Sequence, residues 1–324
     1  MRFLFIFVVI AIYQSLNYGF GRSLLWLYGA NWSKTGRRWL WALIFTLANG
    51  LVAFTLLAPL GWPIFLFTSA TVLLWFWCLT TLALWLPRLG KPWPAAKFLQ
   101  PLLFVALTAY GYFNATQPTV VRYEISLPKQ FNDFTIALVA DSHFGPFISR
   151  DMVGKYREII ERERPDIILH AGDVINDTPY YYLKDGLDQL LREVRAPWGQ
   201  WAILGNHEYY GLSWTAVPPV RYLSTFALPD NGSTDFRGHY YSFDLGSVHC
   251  IVLDTQFLEL EGRGEALKRE QMDWLMRDAS ASTAPWKLVL MHKDILAYGD
   301  YQVEQNTNHG ISDVGQVFLD TFDR

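Results

Sequence analysis

The 324-residue chain is 51% hydrophobic, too apolar for one ordinary soluble domain, and its length fits about two domains. No Asp or Glu precedes Glu124, and eight Lys and Arg lie between Arg2 and Lys97. The rest of the chain holds the other 19 of the 27 basic residues and all 30 acidic ones. That asymmetry points to a membrane-embedded half followed by an acidic globular half, and it argues against nucleic acid as a partner, which needs a basic face. Of the two cysteines, Cys78 lies in an apolar stretch and Cys250 in a β-type run, so a disulfide framework is excluded.

Taken in chain order, four apolar stretches are predicted to cross a membrane: residues 3–20, 39–60, 63–86 and 97–113. A cleaved signal peptide is the alternative for the first, although no small-x-small cleavage site follows it. The Pro/Gly segment 58–63 makes a tight hairpin of the second and third. Trp39, Trp41, Trp62, Trp85 and Trp93 fall at predicted helix ends, where amphipathic rings favour the interface. The loops 21–38 and 87–97 carry four and three Lys/Arg, which predicts that they are cytoplasmic. With four crossings, the N-terminus and the globular half would then lie outside the cytoplasm. The spans contain no Asp, Glu or His, which disfavours an ion channel or transporter.

After a linker at 114–122, residues 123–324 read as strands alternating with helices. Predicted strands are 134–140, 166–170, 200–204, 240–244, 248–254 and 287–291; predicted helices are 151–164, 183–195 and 265–279. Four of these strands run directly into polar motifs: Asp141-x-His143, Gly172-Asp173, Gly205-Asn206-His207-Glu208 and His292. Strand ends of an α/β sheet converge on one crevice, so these residues are expected to meet. Alone, Asp-x-His or Gly-Asp is an ordinary turn; together, in this order, they point to a metal centre.

The order D-x-H, G-D, G-N-H-[DE] and a lone H resembles the calcineurin-like metallophosphoesterase superfamily from about residue 121 to 324. The run FTIALVADSHFG (134–145) is similar to its bacterial branch tethered by N-terminal membrane helices. The segments at 241–246, 253–255 and 271–275 resemble the purple-acid-phosphatase-like relatives. The resemblance implies a four-layer α-β-β-α sandwich and a hydrolase of phosphate esters or diphosphates, working through water activated between two divalent ions (Mn, Fe or Zn). It also implies ligand roles: Asp141 and His143 on the first ion, Asp173 bridging, Asn206 and His292 on the second. His207 would not be a ligand but would face the phosphate and assist the leaving group.

The sequence ends at Arg324 before any G-H-x-H, the pair of histidines that completes such a centre in the family. The expectation is therefore a C-terminally incomplete domain, with a non-catalytic membrane scaffold as the alternative; His309 is a remote substitute ligand. Lys293 stands where relatives often carry His or Pro. His170 reads as a core histidine, and His239 and His249 as surface residues flanking a strand pair. Glu208 and Asp177 read either as partners that orient ligands or, at least equally, as structural residues. Tyr180–Tyr182 and Tyr209–Tyr210 are placed in loops beside the crevice, with aromatic packing the default reading and a substrate wall the alternative. A phosphorylated small molecule or lipid is the expected substrate, and a bacterial inner membrane the expected site of action.

Overall fold

A computed structural model describes residues 2–57, 62–88, 91, 93–126, 133–145, 150–176, 179–210, 223–260, 262–296 and 311–322. The chain divides into two compact units, Met1–Val120 and Val121–Arg324.

The first unit holds four helices: α1 (Arg2–Tyr28), α2 (Lys34–Leu57), α3 (Trp62–Trp85) and α4 (Ala96–Ala115). Three stretches, Leu4–Asn31, Lys34–Leu57 and Pro63–Arg88, are long and apolar enough to cross a membrane; α4 forms but is not among them. Large apolar side chains such as Phe5, Phe7, Phe45, Leu57 and Phe98 face outward, the reverse of a water-soluble bundle. Helix α1 continues eight residues beyond the predicted end, through Gly21. A Cβ at Gly21 would press on the Trp41 ring of α2, and one at Gly19 would stand 3.1 Å from Cys78 Sγ of α3, so the two glycines let neighbouring helices approach.

Polar ties complete the packing. Gln14 Nε2 donates to Asn49 Oδ1 (3.2 Å), Trp77 Nε1 to Ser23 Oγ (2.6 Å) and Gln100 Nε2 to Thr80 Oγ1 (3.3 Å). Pro101 lies inside α4 and has no N–H, which deprives the Lys97 carbonyl of its helical donor. The Tyr28 hydroxyl of α1 donates to that oxygen at 2.9 Å, so one side chain repairs the gap and joins the two helices.

The second unit is built on two three-stranded sheets. In the first, β1 (Ile136–Val139), β2 (Ile167–His170) and β3 (Gln200–Ala202) are parallel in that order, joined through α5 (Arg150–Glu163) and then α6 (Pro179–Lys184) and α7 (Leu187–Glu193). One helix was expected over 183–195; two form because Gly186 adopts the left-handed conformation (φ 66°) and breaks the run. After the one-turn α8 (His207–Tyr210), the second sheet has the antiparallel pair β4 (Tyr241–Leu245) and β5 (Val248–Val252). Helix α9 (Gly264–Ala281) then returns the chain to β6 (Trp286–Leu290), parallel to β5, and α10 (Asp313–Phe322) ends the described fold.

Period-two alternation in β2 separates the layers. Ile167 and Leu169 point toward the other sheet and pack with Ile203, Tyr241, Val252 and Leu290. Ile168 points the opposite way, into a core with Val153, Tyr156 and Ile160 of α5 and Leu191 of α7. On the outer side of the second sheet, Ile251 shares that core with Leu267, Trp274 and Leu275 of α9. The arrangement is helix, sheet, sheet, helix. Tyr241 also bridges the sheets by hydrogen bonds: its hydroxyl donates to the Ala202 carbonyl at 2.7 Å and accepts from the Ala202 N–H at 3.3 Å.

Candidate metal centre

The parallel ladder continues past the ends of β1 and β2. The N–H groups of Asp141, His143 and Phe144 donate to the carbonyls of Gly172, Asp173 and Val174 at 3.1, 2.9 and 2.6 Å, so the two motif-bearing turns run side by side. Asp141, His143 and Asp173 hold φ of 54°, 45° and 53°, a region that L-residues with a Cβ seldom occupy. Strain of about 1–3 kcal/mol per residue clustered on three acidic or imidazole groups marks a site rather than an ordinary turn. Two glycines make the close approach feasible. At Gly172 (φ 90°) a Cβ would stand 2.6 Å from His292 Nδ1, and at Gly205 it would run into the Asp173 carboxylate and backbone nitrogen.

The donors fall into two groups of three, His143/Asp173/His207 and Asp141/Asp173/His292, and within each group the ligand atoms lie within 4.8 Å of one another. Asp173 belongs to both and is 3% exposed. From its carboxylate, His143 Nε2 and His207 Nε2 are each 3.9 Å away and His292 Nε2 is 3.6 Å away; His143 Nε2 is 3.8 Å from Asp141 Oδ1. These gaps are too long for hydrogen bonds. They approach the roughly 3.4 Å that separates two tetrahedral ligands of a zinc-sized cation.

Tautomers are set by the carbonyls behind the rings. His292 Nδ1 lies 2.8 Å from the Ala171 carbonyl, which can only accept, so in the neutral ring the proton is on Nδ1 and the Nε2 lone pair faces the site. There it stands 3.2 Å from Asn206 Oδ1. His207 Nδ1 likewise hydrogen-bonds the Asn176 carbonyl, turning Nε2 toward Asp173. Two carboxylates, imidazole lone pairs and an amide oxygen aimed at one small volume form a donor set that suits divalent cations of the Mn, Fe or Zn kind.

Beneath this set lies Glu208, fully buried. Its Oε2 accepts the N–H groups of Asp173 (2.9 Å) and Gly205 (2.6 Å), and its Oε1 those of Val174 (2.8 Å) and Ile175 (3.1 Å). One carboxylate thus staples the Gly-Asp turn to the Gly-Asn-His-Glu turn. Burial pushes the Glu208 carboxyl up to about 7, against the lowering effect of its backbone donors. Asp173 Oδ1 in turn accepts the His207 N–H at 2.9 Å.

All six expected site residues (Asp141, His143, Asp173, Asn206, His207 and His292) come together at the ends of β1, β2, β3 and β6. Among the donor groups Asp141 stands with His292 and His143 with His207, while His143 Nε2 is also 3.8 Å from Asp141 Oδ1, the neighbour the resemblance implied. His309 and Asp177 lie outside the described residues. His170 is fully buried, its Nε2 3.2 Å from Gln200 Oε1, and burial drives its pKa down to about 4. His239 and His249 are not surface residues: both are buried, His249 between Asp244 (2.7 Å) and Asp278 (2.8 Å). Tyr182 and Tyr209 lie in helices and point into the core, so neither lines a crevice wall. Asp254, within the segment 253–255 noted in the sequence, was not among the expected site residues; it is fully buried and accepts the Tyr209 hydroxyl hydrogen bond.

Residues 134–317 match the family described as calcineurin-like phosphoesterase, and the chain belongs to that family. It is 37% identical over 109 residues to an uncharacterized metallophosphoesterase of Aquifex aeolicus, covering 33% of this chain and 41% of that protein. It is 29% identical over 157 residues to one from Bacillus subtilis, covering 46% and 52%. A Danio rerio relative named as a transmembrane protein with a metallophosphoesterase domain is 30% identical over 124 residues, 36% of this chain and 28% of that one. The matches thus span about a quarter to a half of these relatives' lengths. Among solved structures, a dimetal phosphatase from Danio rerio aligns with a TM-score of 0.38 and 17% identity, covering 58% of this chain and 77% of that one.

Proposed function

We propose that the chain is a membrane-anchored, metal-dependent phosphoesterase that cleaves phosphate esters or diphosphates, including lipid-linked ones. The observation that carries this reading is the convergence of Asp141, His143 and His292 on the buried Asp173, with His207 Nε2 turned toward the same carboxylate. Asp141, His143, Asp173, Asn206 and His292 hold two divalent cations, which, when bound, acidify water and neutralise charge on phosphoryl oxygens. His207 faces the phosphate. With Nδ1 committed to the Asn176 carbonyl, its Nε2 is the atom that carries a proton to the departing oxygen. Asp173 is held by the Glu208 staple and by its bond from the His207 N–H, so the carboxylate common to both groups is pre-oriented.

The apolar helices support anchoring at a bilayer, which would concentrate the domain on lipid-linked substrates. If α4 crosses as a fourth span and the two basic loops are cytoplasmic, the phosphoesterase domain would lie on the extracytoplasmic side of a bacterial inner membrane; a C-terminal reporter fusion active only in the cytoplasm would overturn that orientation. The activity is tested on the purified chain by elemental analysis and by hydrolysis of p-nitrophenyl and bis-p-nitrophenyl phosphate with Mn2+. Close to two metals per chain, with turnover that Asp173→Asn abolishes, is expected. Bound metal without turnover would favour a non-catalytic binding protein, and full activity in Asp173→Asn would contradict the mechanism.

A further inference from the structure

Asn206, His207 and Glu208 sit at the start of α8, a helix of one turn closed by the Tyr209 N–H donating to the Asn206 carbonyl at 3.1 Å. So short a helix has no stability of its own, and its side chains must fix it from outside. His207 and Glu208 face the donor turns. Tyr209, fully buried, leaves in another direction: its hydroxyl donates to Asp254 Oδ2 and lies 2.9 Å from His239 Nδ1. His239 Nδ1 is itself 2.6 Å from the same Asp254 oxygen.

Asp254 is held from every side. Its Oδ1 accepts the Gln256 N–H at 2.8 Å, its own N–H donates to Gln271 Oε1 at 2.8 Å, and its carbonyl accepts Gln271 Nε2 at 2.9 Å. The same segment brackets His292: the Leu253 N–H donates to the Leu290 carbonyl at 3.0 Å, and Thr255 Oγ1 accepts the Lys293 N–H at 3.1 Å. Asn206 follows β3 of the first sheet and His292 follows β6 of the second, yet their donor atoms stand 3.2 Å apart. The segment at the end of β5 touches the supports of both.

We infer that Asp254, acting through Tyr209 and His239, is a positioning residue that sets the distance between Asn206 and His292 across the two sheets. The inference rests on the metal-centre reading above and concerns which residues keep that centre in register.

The test is Mn2+ titration of the chelator-stripped full chain by calorimetry, with a thermal melt of each variant. Tyr209→Phe keeps the ring and removes the donor; it and Asp254→Asn are expected to weaken Mn2+ binding about tenfold or more, the usual size for lost partners of metal ligands. Tyr240→Phe removes another tyrosine hydroxyl bond, to Glu270 Oε1 at 3.0 Å, and should leave Mn2+ affinity unchanged. His239→Asn, which offers an amide N–H in place of Nδ1, should retain affinity that His239→Ala loses. If Asp254→Asn does not fold, Tyr209→Phe and the His239 pair carry the test. Wild-type affinity in Tyr209→Phe and in the folded Asp254→Asn, beside a wild type that binds Mn2+, would overturn the inference alone. A wild type that binds no Mn2+ would overturn the metal reading and this inference with it.

Discussion

Replacing Glu208 with Gln changes one atom and removes half of the staple under the donor turns. Each carboxylate oxygen accepts two backbone N–H groups, at 2.6–3.1 Å. A Gln amide keeps one oxygen and sets an NH2 against the other two donors, so two bonds are lost and two buried N–H groups are orphaned. Hydrogen bonds to a charged acceptor contribute about 1.5–3 kcal/mol each. Relief from burying a charge, the effect that pushes Glu208 up to about 7, offsets part of that loss. The expected net destabilisation is about 3 kcal/mol, a fall of roughly 6–12 °C in Tm for a domain of this size. Thermal melts of wild type and Glu208→Gln in one detergent, followed by far-UV circular dichroism, measure it. A Tm within about 2 °C of wild type would refute the reasoning, since it would mean that those four N–H groups do not depend on the carboxylate.

Gly205→Ala places a methyl against the Asp173 carboxylate and is expected to cost about 1–3 kcal/mol and to abolish Mn2+ binding, both read from the same titration and melt. Burial opposes charge on His249, but Asp244 and Asp278 outweigh it and raise its pKa above 6.5. Its stabilising effect is therefore full below about pH 6.5 and lost as pH rises through the higher folded-state value. The Tm gap between wild type and His249→Gln should shrink accordingly across a pH series, and a gap independent of pH would contradict this. Tyr28→Phe exposes the Lys97 carbonyl that Pro101 leaves without a donor, and should lower the heat resistance of the detergent-solubilised chain by about 1 kcal/mol.

The strands that lead to the site were legible because each is a short apolar run that stops at a polar motif. β2 was expected over 166–170 and forms over Ile167–His170. The convergence of Asp141, Asp173, Asn206 and His292 follows from that topology alone. What a linear pattern could not show is depth. His239 and His249 flank strands, where exposure is the ordinary outcome, yet each is buried against acidic partners from elsewhere in the chain: Asp254 for His239, Asp244 and Asp278 for His249. Glu208 was readable as an orienting residue, but its four donors belong to the backbone and leave no side-chain signature. The break between α6 and α7 turned on the sign of one glycine φ, which composition does not reveal.

The donors at the ends of β1 and β6 are separated by about 150 residues of chain, which a ribosome adding about 5–20 residues per second takes roughly 8–30 seconds to make. Once Asp173 has been added, the nascent chain carries Asp141, His143 and Asp173 without His292 for the rest of that interval. On the proposed metal reading, the donor group that contains His292 therefore assembles late in synthesis, after the group that contains His143 and His207 has all its members.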